Sequence, residues 1–254
     1  MYTGKQAGVD ICIREIYNRL PASVIQANSI TCYTYSLQLL NGNITTKIIK
    51  LPFLNALFKK SISLHRIIWN MLYLPALARN YDIVYSFSSH GGFFIKNQVL
   101  TVHDLISLSF PAQHRFQFFY FKYILPGIIN SSKKIVAISA FTKQQVIDKY
   151  KLNPAKICVI YNGGNHLKPV TKDSTLQKEK EVLEAKINGR SFFLLVGATY
   201  PHKNADTVIK AMQSMPGYML IITGAGNKYL AALQQLADQQ QIKNVNYILL
   251  VLFV

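Results

Sequence analysis

Acidic side chains are scarce in this sequence: 11 Asp and Glu stand against 28 Lys and Arg, a net charge of +17. The deficit is local, with 19 basic and 5 acidic residues over 1–170 but 9 and 6 over 171–254. Such a surface attracts phosphorylated lipids, anionic membranes or nucleic acid without choosing among them, or simply keeps the protein soluble. No nucleic-acid-binding motif accompanies the charge, so no nucleic-acid partner is expected. The three cysteines, Cys12, Cys32 and Cys158, are odd in number and lack a CxxC pair, which excludes a disulfide framework and suits buried thiols in a reducing compartment. The six histidines form no HxxxH pair, and no metal is expected. No apolar run approaches the ~20 residues of a membrane span. The polar start Met1 to Gly8 does not read as a secretory leader. A cytoplasmic protein is expected, in peripheral contact with the inner face of an anionic membrane. Tryptophan is single, but 15 Tyr and 14 Phe supply packing material, and half of the chain is hydrophobic, which excludes a disordered chain.

Apolar runs of strand length alternate with helical spacing throughout, the signature of parallel α/β sheets. A helix follows Gly8, with Val9, Ile13, Ile16, Tyr17 and Leu20 at helical spacing up to Pro21. Ser23 to Asn28 and Thr45 to Leu51 are expected as short strands, and Leu54 to Ala78 as a helix interrupted at Pro75. Asp82 to Phe87 and Gln98 to Val102 read as strands, the first running into Ser88-Ser89-His90-Gly91-Gly92 and the second into His103-Asp104. A polar pair at the end of a buried strand marks a candidate site; a strand-end histidine satisfied by a backbone carbonyl is the plainer alternative. Phe116 to Ile129 is an aromatic helix with Arg115 and Lys122, packed on the sheet or touching a bilayer interface. Lys134 to Ser139 is a strand whose Ser139 or Thr142 caps a helix running to Tyr150, and Ile157 to Tyr161 is the next strand. The polar stretch 165–190, with a short helix around Leu176 to Lys186, separates two expected domains, 1–168 and 169–254.

The second half is organised around residues 192–212. An apolar run, Phe192 to Val196, stops at Gly197; a polar turn with Pro201, His202, Lys203 and Asn204 follows; Ala205, Val208, Ile209 and Met212 then return at helical spacing. That is a buried parallel strand, a loop and a helix. The amides and positive dipole end of the helix, with Lys203, would favour an anion at the carboxyl edge of the sheet. The alternative is an ordinary strand-to-helix turn with a solvated lysine. A second strand, Tyr218 to Thr223, ends in Gly224-Ala225-Gly226 before a helix from Asn227 to about Gln240; Tyr229 fills the third glycine position of a dinucleotide fingerprint. The two loops could share one nucleotide. A last apolar run spans Val245 to Val254.

The ordered series His103-Asp104, Val136-Ala137-Ile138-Ser139, Val159 to Gly163, Leu195-Val196-Gly197 with Pro201 to Asn204, and Thr223 to Gly226 resembles glycosyltransferase family 4. The likeness is to its bacterial mannosyltransferase-like members and runs from about Gly8 to Tyr247. The resemblance implies a glycosyltransferase B fold: two Rossmann-like parallel-sheet domains, the second incomplete here. It implies transfer of a sugar with retention, from a GDP- or UDP-linked donor to a saccharide or lipid-linked acceptor of surface polysaccharide synthesis, with no cofactor beyond the donor. His103 would contact the transferred sugar and Lys203 the donor diphosphate. Gly8, Gly197, His202, Asn204, Gly224 and Gly226 would line the donor.

Three departures stand out. His202 takes the place beside Lys203 where many members carry an arginine. No glutamate follows Glu184, although members hold donor ribose and sugar with a glutamate pair further on. The first strand is not evident. From these departures the alternative is a catalytically inactive remnant or binding fragment, prone to aggregate through uncovered sheet edges.

Overall fold

The computed structural model describes residues 8–34, 44–49, 66–164, 180–181, 183–185, 187–198, 200–223 and 228–248. The expectations on residues 54–65, on Gly224 and Gly226, and on the last apolar residues 249–254 lie outside them. The chain divides into two compact units, Met1–His166 and Leu167–Val254.

The first unit opens with helix α1 (Gly8–Asn18) and a short α2 (Ala22–Ala27), followed by strands β1 (Thr31–Thr34) and β2 (Thr45–Ile48), which pair in parallel. The stretch from Ser23 is therefore helical up to Ala27, not extended. Pro21 starts it: its preset φ and free carbonyl suit the residue before a helix, and that carbonyl accepts from the amides of Val24 and Ile25.

Four parallel strands follow in the order β3 (Val84–Ser86), β4 (Gln98–Val102), β5 (Lys134–Ala137), β6 (Ile157–Val159). Helices connect them: α3 (66–78) precedes β3, and α4 (Ile106–Ser109) and α5 (115–131) lie between β4 and β5. Helix α6 (Ala140–Tyr150) joins β5 to β6. Strands β4 and β5 are central and apolar on both faces. Leu100, Val102, Ile135 and Ala137 pack with Leu125, Ile128 and Ile129 of α5 and Val146 of α6 into one core. Cys158 is exposed rather than buried, because β6 is an edge strand among the described residues.

Helices α3 and α5 share a device that overturns one sequence expectation. Each contains a five-residue π-helical stretch, Trp69–Tyr73 and Tyr120–Ile124, and each carries a proline just after it, Pro75 and Pro126. A proline inside an α-helix lacks the amide for the ladder and clashes with the carbonyl four residues back. The wider π turn relieves both, so Pro75 does not interrupt α3.

The second unit holds three parallel strands, β7 (Phe192–Val196), β8 (Met219–Thr223) and β9 (Val245–Ile248), in the order β7-β8-β9. Helices α7 (Ala205–Met212) and α8 (Lys228–Gln239) cover one face, where Ala205, Ile209, Met212, Leu233 and Ala237 pack on Leu220 and Ile222. On the other face Met219 and Ile221 pack on Ile187. Strand β8 is thus buried throughout, whereas β7, at one edge of this sheet among the described residues, is largely exposed. The expectation that β7 is a buried strand fails for this reason.

Candidate functional site

Parallel sheets present their ligand sites at the carboxyl ends of the strands. In the first unit that edge gathers Phe87 to His90 after β3, His103 after β4, Ser139 after β5 and Asn162 after β6. His103 is pinned twice. Its Nε2 lies 2.8 Å from the Phe87 carbonyl, and its own carbonyl accepts from Thr142 Oγ1 at 3.2 Å. Thr142 is held in turn by Ser139, whose Oγ donates to Thr142 Oγ1 and accepts from the Thr142 amide, capping α6. A carbonyl only accepts, so the neutral ring carries its proton on Nε2 and keeps Nδ1 as an acceptor. The carbonyl-satisfied histidine is thus present, and the same bond leaves the ring oriented with one lone pair for a ligand hydroxyl. Asp104 serves the backbone: its carboxylate accepts from the Ile106 amide at the start of α4.

Gly8 is the first residue of α1. One turn on, the Cys12 thiol reaches Asn162 Oδ1 at 3.6 Å, which sets the start of α1 beside the loop after β6.

The loop after β3 is built on close approach. A Cβ at Gly92 would come within 2.6 Å of the Asn70 backbone carbonyl, so that position needs glycine, and one at Gly91 would come within 2.5 Å of Gln98 Oε1 and displace that side chain. Here the structure shows a cluster that sequence reasoning missed. The His90 ring stacks on Tyr120 at 4.7 Å, and its Nε2 accepts from Arg66 Nη2 at 3.2 Å. Since arginine only donates, the neutral ring carries its proton on Nδ1, which is buried and has no hydrogen-bond partner among the described residues. Burial first, and then the Arg66 charge, holds the His90 pKa well below the usual imidazole range. The residues come from three separate stretches of chain, so only the histidine in its glycine-rich loop was visible in advance.

Unfolded, His90 takes up a proton near its ordinary pKa of about 6.5; folded, it does not. Stability should therefore be lost as pH falls below about 6.5, by at most about 1.4 kcal/mol per pH unit, until the depressed folded pKa is reached. Urea unfolding of wild type and His90→Gln between pH 7.5 and 5 tests this. The variant should show the shallower pH dependence, and identical dependences would refute the assignment.

In the second unit, Gly197 sits at φ +71°, a left-handed conformation that favours glycine, and its amide and that of Ala198 both donate to the Thr223 carbonyl. Residues Pro201–Lys203 form one 3-10 turn, and Asn204 at φ 54° starts α7, its Oδ1 accepting from Thr207 Oγ1. Lys203 is exposed, and among the described residues no atom lies within 4 Å of a Cβ built on Gly197. His202 stacks on Tyr200 with centroids 5.5 Å apart, so its ring is held by an aromatic neighbour. Asp206, unremarked in the sequence reading, places an acid in the first turn of α7, where the dipole favours one. Lys210 stands 4.0 Å from it, and Tyr229 at the start of α8 donates to it at 3.5 Å. The residue filling the third fingerprint position therefore ties the starts of the two helices together. The structure brings Gly197, His202, Lys203 and Asn204 into one loop. Gly224 and Gly226 fall outside the described residues.

Comparison with known proteins bears on the fold and the family. The O-antigen chain mannosyltransferase RfbU of Salmonella typhimurium is 31% identical over 151 residues, which are 59% of this chain and 38% of that protein. The chain thus matches well under half of the curated relative's length. Among solved structures, Anabaena Alr3699/HepE in complex with UDP and glucose superposes over 98% of this chain and 67% of its own, with a TM-score of 0.59 and 15% identity. A glycosyltransferase from Rickettsia africae ESF-5 superposes over 96% and 65%, at 0.52 and 14%. These likenesses establish the glycosyltransferase B fold with its Rossmann-like parallel sheets. Residues 7–166, most of the chain, match the family described as Glycosyltransferase Family 4, and the protein belongs to that family.

Proposed function

We infer that the protein is a retaining glycosyltransferase of surface polysaccharide synthesis. It takes a sugar, mannose by likeness to the Salmonella relative, from a GDP- or UDP-linked donor and gives it to a saccharide or lipid-linked acceptor. The observation that carries this reading is the loop after β7: an exposed lysine, a glycine in the left-handed conformation and the first turn of a helix stand together at the carboxyl edge of a parallel sheet. That arrangement suits a diphosphate. The HepE structures, with UDP and glucose or with UDP-glucose, support a nucleotide-sugar donor.

In the transfer, the bond from the anomeric carbon to the diphosphate oxygen breaks as the acceptor oxygen bonds to that carbon. The acceptor proton ends on the released diphosphate. Negative charge grows on the leaving group, so a fixed cation there stabilises the transition state more than the ground state. Lys203 is assigned this role, with Gly197, His202, Asn204, Gly224 and Gly226 lining the donor and Gly8 near its phosphates. His103 is assigned to the transferred sugar, accepting a hydroxyl through Nδ1. The enzyme works in the cytoplasm, in peripheral contact with the anionic inner face of the membrane where a lipid-linked acceptor would reside.

Calorimetric titration of the purified chain with GDP-mannose and UDP-glucose tests the reading. Binding of one donor at micromolar to millimolar concentration is expected. No heat with either at several millimolar would overturn the donor assignment.

A further inference from the structure

Helix α5 is apolar on two faces, and only one of them serves the core. Tyr120, Phe121, Leu125, Ile128 and Ile129 point inward. Outward stand Phe116, Phe119 and Tyr123, which are 54%, 58% and 58% exposed. Phe119 and Tyr123 lie ring to ring at 4.8 Å, and Lys122 Nζ sits 5.2 Å from the Tyr123 ring centre and 5.4 Å from that of Phe118. The stripe continues past the helix. Gly127, one turn beyond Tyr123, receives Phe93 so closely that a Cβ there would come within 2.6 Å of the Phe93 ring. Phe94 follows, 5.9 Å from Phe93 ring to ring, 88% exposed and at φ 59°, a conformation that a bulky side chain adopts at a cost. The chain on either side of the helix carries one sign of charge. Arg115, Lys122, Lys133, Lys134 and Lys143 lie between Asp104 and Asp148, and no acidic residue does.

Exposed aromatics beside lysine and arginine, with no acid among them, match the boundary between acyl chains and anionic headgroups. Rings enter the boundary while the long basic side chains reach the phosphates. We propose that Phe94, Phe116, Phe119 and Tyr123, with Arg115 and Lys122, form the surface by which the protein seats itself on an anionic bilayer. The proposal rests on the reading of the protein as a peripheral membrane glycosyltransferase and names the face that makes the contact. None of these positions lies in the donor loop, so the two can fail separately.

The test is sedimentation of the full chain with vesicles of phosphatidylcholine alone or with 30% phosphatidylglycerol, beside calorimetric donor binding on the same samples. The wild-type chain should bind the anionic vesicles at least tenfold more tightly than the neutral ones, and more weakly at high salt. The Phe116→Ser/Phe119→Ser/Tyr123→Ser variant, altered only at exposed positions, should lose at least tenfold on anionic vesicles with donor binding unchanged. Lys122→Glu should lose about tenfold. In a Phe119→Trp variant, emission should shift to the blue on anionic vesicles and be quenched by brominated lipid. Undiminished vesicle binding by the triple variant, or an unshifted tryptophan, would overturn the proposal. So would concentration-dependent dimerisation without vesicles that the triple variant abolishes, since the face would then belong to a second copy.

Discussion

Lys203→Ala is expected to weaken nucleotide-sugar binding by about 10–150-fold, the worth of one charge-assisted bond of about 1.5–3 kcal/mol. Transfer should fall further, to about 10²–10³-fold below wild type, because charge on the diphosphate peaks in the transition state. The comparison that makes the result specific is Lys210→Ala. Lys210 lies on α7 itself, is also exposed, and faces Asp206 at 4.0 Å, whereas Lys203 stands in the turn before that helix. It should leave donor binding within a factor of about two, as expected for an exposed pair. Equal losses in both variants would mean that diffuse positive charge, and not the loop after β7, draws the donor.

The second large effect concerns stability. Leu125→Ala should cost about 3–4 kcal/mol, because Leu125 is fully buried where α5 meets the sheet and its neighbours Ile128 and Ile129 are equally enclosed. Leu194→Ala removes the same atoms from β7, where the side chain is 56% exposed, and should cost less than about 1 kcal/mol. Urea unfolding of the two variants reads the difference. Similar losses would mean that β7 is covered in solution.

Much of the first unit could be read in advance because its signals are local. The run Gln98 to Val102 is bounded by polar residues on both sides and appears as β4 without adjustment. Ser139 before a helical period predicts the cap of α6, and its Oγ accepts the Thr142 amide. The errors came where a neighbour, not a propensity, decides. Val24 and Ile25 have strand-like side chains, yet the Pro21 carbonyl is placed to start a helix. The apolar run of β7 is indistinguishable in sequence from that of β8, because burial depends on which strands lie alongside. In the candidate site, Lys203 and Gly197 were legible as a strand-turn-helix junction. The orientation of His103 by Phe87 and Thr142 was not, since those partners lie 16 and 39 residues away. Asp206 was readable as an acid in a first helical turn and was missed.

The uneven face of α5 has the same origin. A wheel drawn at 3.6 residues per turn from Phe116 to Ile129 mixes its two apolar sides, because the π-helical stretch Tyr120–Ile124 shifts the phase between them.

That stretch ties together positions that would otherwise drift independently. Replacing Pro126 alone would not straighten the helix, because the extra residue of the π turn would remain. Deleting that residue alone would return the proline clash and swing Leu125, Ile128 and Ile129 away from the sheet by roughly one residue's rotation, ~100°. Each change is harmful alone and tolerable only with the other. In descendants of this gene the proline and the length of the helix should therefore change as a pair, and the same holds for Pro75 and the helix that carries it.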